Sequence, residues 1–158
     1  MITLENKAWM AGFFDGEGNV GITPRRKEGD ICRAGFGIKI GLSNTWDEPL
    51  LIFVKHFGGH LCYQARENEP WHKPYYKWRC PSHNAERFLR LLLPYLTVKR
   101  VRAKLALEFL KTGRGSGCRY SIGESRLRID MFDRMKALNL RGRKDFTPEA
   151  KYSIMGVK

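Results

Sequence analysis

The sequence predicts an α+β domain: a four-stranded antiparallel sheet with helices packed on its other face, in the order helix, hairpin, helix, hairpin, helices. Three observations predict it. Four short segments alternate apolar and polar residues with the period of two that a half-buried strand requires. They come in two pairs joined through turn or loop residues, and strands joined as hairpins pair antiparallel. The segments between and after them carry helical periodicity instead. The chain has 158 residues, 42% hydrophobic and 12% aromatic, which suits one domain with a sizeable core. We place that domain at 1–140, followed by a basic, weakly apolar tail at 141–158.

In order, Thr3 or Asn6 can cap a first helix that runs to about Gly16. From Asn19 to Lys27, Val20 and Ile22 face one way and Gly21, Thr23 and Arg25 the other. Lys27-Glu28-Gly29-Asp30 reads as a turn. Cys32 to Ser43 returns with Phe36, Ile38, Ile40 and Leu42 inward, and Arg33, Gly35, Gly37, Lys39 and Gly41 outward. Asp47 and Pro49 open a helix with Leu50, Leu51, Phe53, Val54 and Phe57 that stops at Gly58-Gly59. His60 to Arg66 and Tyr75 to Cys80 form the second hairpin. Its outward residues are His60, Gln64 and Arg66 on one strand and Tyr75, Lys77 and Arg79 on the other. Pro81-Ser82 starts a helix with Phe88, Leu89, Leu92 and Leu93. Lys99 to about Thr112 is another, with Val101, Leu105, Leu107 and Phe109 apolar. Ser121 or Glu124 begins the last, with Leu127, Met131, Phe132, Met135 and Leu138, ending at Asn139.

Charge narrows the partner. The net charge is +13, from 29 Lys and Arg against 16 Asp and Glu, so a polyanion is implied. Nucleic acid fits; an anionic membrane surface is the alternative, and no basic amphipathic helix with aromatic anchors supports it. No apolar run reaches the ~20 residues that span a bilayer, and no secretory signal is visible. The four cysteines, Cys32, Cys62, Cys80 and Cys118, form no C-x-x-C pair. Scattered single thiols fit a reducing intracellular setting better than a zinc site.

The outward strand residues have one sign. Thr23, Arg25, Lys27, Arg33, Lys39, Gln64, Arg66, Tyr75, Lys77 and Arg79 share a face almost free of acids, whereas a merely solvated face mixes both signs. Two-stranded ribbons fit the DNA major groove, where Arg, Lys and Gln read base edges.

The first helix breaks two local rules. Ala8, Ala11, Gly12, Asp15 and Gly16 fall on one face, a narrow seam of small residues between Trp9, Met10, Phe13 and Phe14. Glycine inside a helix costs about 1 kcal/mol against alanine, so the seam needs a reason, and close approach by another helix is one. Asp15 and Glu17 sit at the C-terminal end, where the macrodipole favours cations, so a bound divalent cation would compensate.

The stretch Met10-Ala11-Gly12-Phe13-Phe14-Asp15-Gly16-Glu17-Gly18 resembles the signature of the LAGLIDADG homing endonucleases. The helix-hairpin order, Pro94-Tyr95-Leu96-Thr97-Val98-Lys99-Arg100 and the late Ala137-Leu138-Asn139 extend the resemblance over most of the chain. No second copy of the stretch follows, so the resemblance implies a homodimer pairing its first helices at a twofold axis, with Ala8, Ala11, Gly12, Asp15 and Gly16 at the interface. It implies Mg²⁺-dependent hydrolysis of double-stranded DNA at a long pseudo-palindromic site, with Mn²⁺ or Ca²⁺ able to occupy the metal position. Glu17 and the Gly16 carbonyl would ligate the metal, Lys99 would sit near the scissile phosphate and Asn44 would orient water. Asp15 fits support of a helix end or a backbone amide better than metal ligation. The family's further basic group after Asn44 has no counterpart among Thr45, Trp46, Asp47 and Glu48. The rival reading keeps the scaffold without cleavage, as an RNA maturase or a transcription regulator. The retained motif acid, Glu17, argues for the enzyme.

Overall fold

The structure is a computed structural model describing residues 2–24, 36–65, 73–113 and 120–140. Helix α1 spans Leu4–Glu17, and Thr3 caps it: its hydroxyl accepts the Asn6 N–H at 3.3 Å. The chain passes from α1 straight into strand β1, Gly18–Pro24. Glycine is required at this junction, because a Cβ on Gly18 would collide with the Phe14 ring and carbonyl. Strand β2, Phe36–Asn44, pairs antiparallel with β1, so that Gly21 faces Lys39 and Thr23 faces Gly37.

Helix α2, Glu48–Phe57, starts after Asp47 with Pro49 in its first turn, although Asp47 makes no side-chain cap. Gly58 and Gly59, at φ 65° and 100°, end it in a conformation that side-chain-bearing residues rarely adopt. Their turn delivers β3, His60–Gln64, which pairs antiparallel with β4, Tyr75–Arg79. The sheet order is β1-β2-β4-β3, so the two hairpins join along β2 and β4. A single helical turn at Ser82–Asn84 leads into α3, Ala85–Leu92, and α4, Arg100–Lys111, follows. Helix α5, Ile122–Asn139, opens with a reciprocal capping box in which Ser121 is the cap and Glu124 its partner.

The helices bury the inward residues of the sheet: Val20, Ile22, Ile40, Leu42 and Trp78 have almost no exposure. Aromatic rings dominate this core. Phe88 of α3 meets Phe14 of α1 edge-on at 5.0 Å and Phe57 of α2 at 4.9 Å, and Trp78 lies 5.6 Å from Phe88. The Trp78 indole N–H donates to the Gly58 carbonyl at 2.8 Å, so the buried polar tip is satisfied. Burial also pushes the Cys80 thiol up to about 12, which keeps it protonated.

Three helical faces differ from the sequence expectation. In α2, Leu51 is exposed. In α5 the buried residues are Ser125, Arg128, Met131 and Met135, whereas Leu127 and Leu138 are exposed. Arg128 takes the inward place because its guanidinium lies between the Phe109 and Tyr120 rings, at 4.2 and 4.5 Å. It donates to the Thr112 hydroxyl and the Phe36 carbonyl, ties that a leucine could not make. In α4, Val101 is exposed and Ala103 and Ala106 are buried in its stead. The turn at 27–30 and the tail at 141–158 lie outside the described residues.

Candidate functional site

The C-terminal end of α1 is fixed by an exchange with α4. Asp15 turns its carboxylate away from its own helix end and onto the N-terminus of the other helix. It accepts the backbone N–H groups of Thr97 at 2.6 Å, Val98 at 3.1 Å and Lys99 at 2.8 Å. A carboxylate there meets a positive helix end and orphan donors. In return Lys99, which is 5% exposed, donates its ammonium to the Asp15 main-chain carbonyl. Each helix thus supplies the charge that the other's terminus calls for. The acid that seemed misplaced on sequence grounds is a cap for a helix more than 80 positions away.

Glu17 is not part of this exchange. It is exposed and borders an open basin together with Gly16, Asn19, Lys39, Ser43, Lys77, Arg79, Lys99, Arg102 and Asn139. The basin brings one carboxylate to five cations, from the two strands β2 and β4 and from the start of α4. The sheet's part of the lining follows from strand register. Gly41 pairs with Arg79, and Arg79 with His60; Ser43 pairs with Lys77, and Lys77 with Cys62. The outward side chains therefore stand in rows across the strands, and none of the four described strands contains an acid. Gly41 also needs to be glycine, because a Cβ would sit 2.9 Å from the Trp78 carbonyl.

The structure thus gathers Glu17, Gly16, Lys99, Lys39, Lys77 and Arg79 around one basin. Thr23, Gln64 and Tyr75 lie further out on the same outward register, Tyr75 opposite Gln64. Arg25, Lys27, Arg33 and Arg66 lie outside the described residues. Asn44 is the last residue of β2. The alternation of β2 puts it on the side of Ile40 and Leu42, and its carboxamide oxygen accepts the Trp46 N–H at 2.9 Å, closing a turn. It does not border the basin; Ser43, its neighbour, does.

The seam of α1 is also narrower than its sequence implies. Ala11 has no exposed surface and belongs to the chain's own core with Met10 and Phe14, and Asp15 is committed to α4. What remains exposed is Ala8, Gly12 and Gly16, one helical turn apart, continued by Leu4. A Cβ added at Gly12 or Gly16 would meet nothing within 4 Å, so no packing among the described residues requires glycine at either place.

Arg102 and Asn139 are basin residues that sequence reasoning missed. Arg102 lies three residues after Lys99, on the same face of α4, and that spacing was the available signal. Asn139 comes from the far end of α5, where its amide donates to the Val20 carbonyl at 3.0 Å; the phrase Ala137-Leu138-Asn139 was the available signal.

As metal ligands, the Glu17 carboxylate and the Gly16 carbonyl are hard oxygen donors of the kind Mg²⁺ takes, with water and phosphate completing its shell. Among the described residues no three His, Cys, Asp or Glu side chains gather into a metal cluster.

No family model matches the chain, and no curated protein does. Solved structures do. The homing endonuclease I-CvuI, in complex with its target in the presence of 2 mM Ca, has a TM-score of 0.70 at 20% identity, covering 96% of this chain and 95% of that one. The archaeal intron-encoded homing endonuclease I-Vdi141I, complexed with DNA, has a TM-score of 0.68 at 14% identity, with the same coverage of 96% and 95%. The group I intron-encoded homing endonuclease I-CeuI, complexed with DNA, has 0.66 at 14%, covering 92% of this chain and 72% of that one. The likeness is one of fold: the same four-stranded antiparallel sheet with its helices.

Proposed function

We propose that the chain is a divalent-metal-dependent, site-specific endonuclease that cuts double-stranded DNA as a homodimer. The observation that carries this reading is the placement of Glu17. One exposed carboxylate stands at the head of a basic, acid-free sheet face, in a basin whose other charged walls are all cations. A protein that only bound a polyanion would gain nothing from a carboxylate there, since it repels phosphate. A metal ligand between phosphate and protein explains it. The folds that match belong to proteins described as homing endonucleases, several of them in complex with DNA.

In this reading the outward rows of the sheet enter the major groove. Lys39, Lys77 and Arg79 hold phosphates and base edges near the cut, and Thr23, Gln64 and Tyr75 extend the contact outward. The exposed turns of α1 at Ala8, Gly12 and Gly16 pack against their copies, which brings two Glu17 carboxylates to the axis. Two carboxylates that close cannot both stay ionised without cations between them. A Mg²⁺ held by Glu17 and the Gly16 carbonyl would supply an activated water and would stabilise the leaving 3′ oxygen. The chain's own residues do the rest. Glu17 and the Gly16 carbonyl present oxygen ligands, Lys99 holds positive charge beside the scissile phosphate, and Asp15 locks Lys99 in place through the backbone of α4.

The test begins by incubating the protein with randomised duplex DNA and Mg²⁺ and recovering what is cut. The wild type is expected to select and cleave one duplex with Mg²⁺ and none with EDTA. Glu17→Gln should bind that duplex within about threefold of wild type and cut it ~10³-fold more slowly. Binding without any cleavage by the wild type would favour the non-cleaving regulator or maturase. Normal cutting by Glu17→Gln would remove the metal assignment.

A further inference from the structure

We infer that Arg102 is a second cationic contact to the scissile phosphate, working beside Lys99. The inference rests on the endonuclease reading above. Arg102 borders the same basin as Glu17 and Lys99, and its spacing from Lys99 puts both on one face of α4. Its guanidinium is already aimed. Nε donates to the Leu138 carbonyl at 3.0 Å and Nη2 donates to the same oxygen at 2.7 Å. That carbonyl belongs to the last turn of α5, where acceptors lack helical partners and the helix end is negative.

This tether uses one edge of a planar group. The remaining N–H donors, on Nη1 and Nη2, form the edge that matches two oxygens of a phosphate. Among the described residues no carboxylate lies within ion-pair distance of Arg102. Hydrolysis of a phosphodiester gathers negative charge on the non-bridging oxygens, and fixed donors aimed at that charge lower the barrier. The Lys99 ammonium is engaged with the Asp15 carbonyl, so a second cation that keeps an unused edge is chemically distinct from it. The competing explanation is purely structural: Arg102 ties down the end of α5 and nothing more.

The two explanations separate in one series, using the duplex that the wild type selects and single-turnover cleavage with Mg²⁺. Arg102→Gln keeps an amide donor for Leu138 but has no charge, and Arg102→Ala lacks both. Both are expected to cut about 10²-fold more slowly than wild type while binding the duplex in Ca²⁺ within a few-fold. Arg102→Lys should recover about a tenth of the wild-type rate, since it restores charge without the planar fork. Methylguanidinium added to Arg102→Ala should raise its rate about tenfold, a rescue that a helix cap would not show. The inference is overturned if Arg102→Gln cuts at the wild-type rate. It is equally overturned if the loss in Arg102→Ala follows its melting temperature and methylguanidinium leaves it unchanged. Should the wild type cut no duplex at all, the endonuclease reading and this inference both fall; if only the Arg102 variants behave as wild type, the endonuclease reading stands alone.

Discussion

Asp15 and Glu17 are two residues apart and behave as opposites. Asp15 gathers three backbone N–H groups at the start of α4, and Glu17 gathers none and stands in the basin. Removing Asp15 strips a charged cap from one helix and loosens the hold on Lys99 at the end of another. Asp15→Ala should therefore destabilise the fold by ~2 kcal/mol, the upper end for a helix cap. For a chain of this size that is a fall of about 6 °C in melting temperature, readable by circular dichroism. Glu17→Ala should leave melting near the wild-type value, because no hydrogen bond within the chain depends on it among the described residues. Equal losses in the two variants would contradict this division. The sequence marked both acids as unusual, and the resemblance favoured Glu17 as ligand and Asp15 as support. What it did not contain was the position of α4, since a cap more than 80 residues distant leaves no local pattern.

At the scale of elements, α1 has two faces with different tasks. Met10, Ala11 and Phe14 are fully buried against the rest of the chain, and Leu4, Ala8, Gly12 and Gly16 remain outside. Helical spacing alone assigned Ala11 to the outer seam, because a seam about two residues wide is blurred by the 100° step between residues. Gly12 offers a clean probe, as a Cβ there meets nothing within 4 Å among the described residues. On the proposed homodimer, Gly12→Leu is expected to fold with an unchanged far-ultraviolet spectrum and to sediment as a monomer at concentrations where the wild type is expected to dimerise. A dimer of undiminished affinity would place the contact elsewhere. The register of β2 puts Asn44 on the side of Ile40 and Leu42. A single residue decides the side of a sheet, and the strand continues through Asn44 before turning.

At the scale of the molecule, the +13 net charge and the acid-free strand faces act together. Binding to the selected duplex should weaken about 10³-fold or more between 50 and 200 mM salt, as counterions released from phosphates compete to return. A near-flat salt dependence in fluorescence anisotropy would mean that base contacts, and not phosphates, dominate. The architecture that carries this charge was legible in advance. Period-two alternation, turn residues and helical stripes located every described strand and helix in order, since those patterns are local. The pairing of β2 with β4 in the middle of the sheet, and the docking of the α5 end on β1, were not legible, because both join segments far apart in the chain.

The sequence by itself determined the α+β class, the core faces of the strands, the sign of the outward face and the α1 stretch carrying the critical acids. All of these follow from short-range periodicity and side-chain charge. Only the tertiary structure decided which acid stands exposed in the basin, which cations surround it and which seam residues reach the surface. Each depends on long-range packing: Lys99 folded under α1, Arg102 leaning on the end of α5, and Ala11 closed into the core. The chemistry of the basin is a property of that convergence, and no single segment contains it.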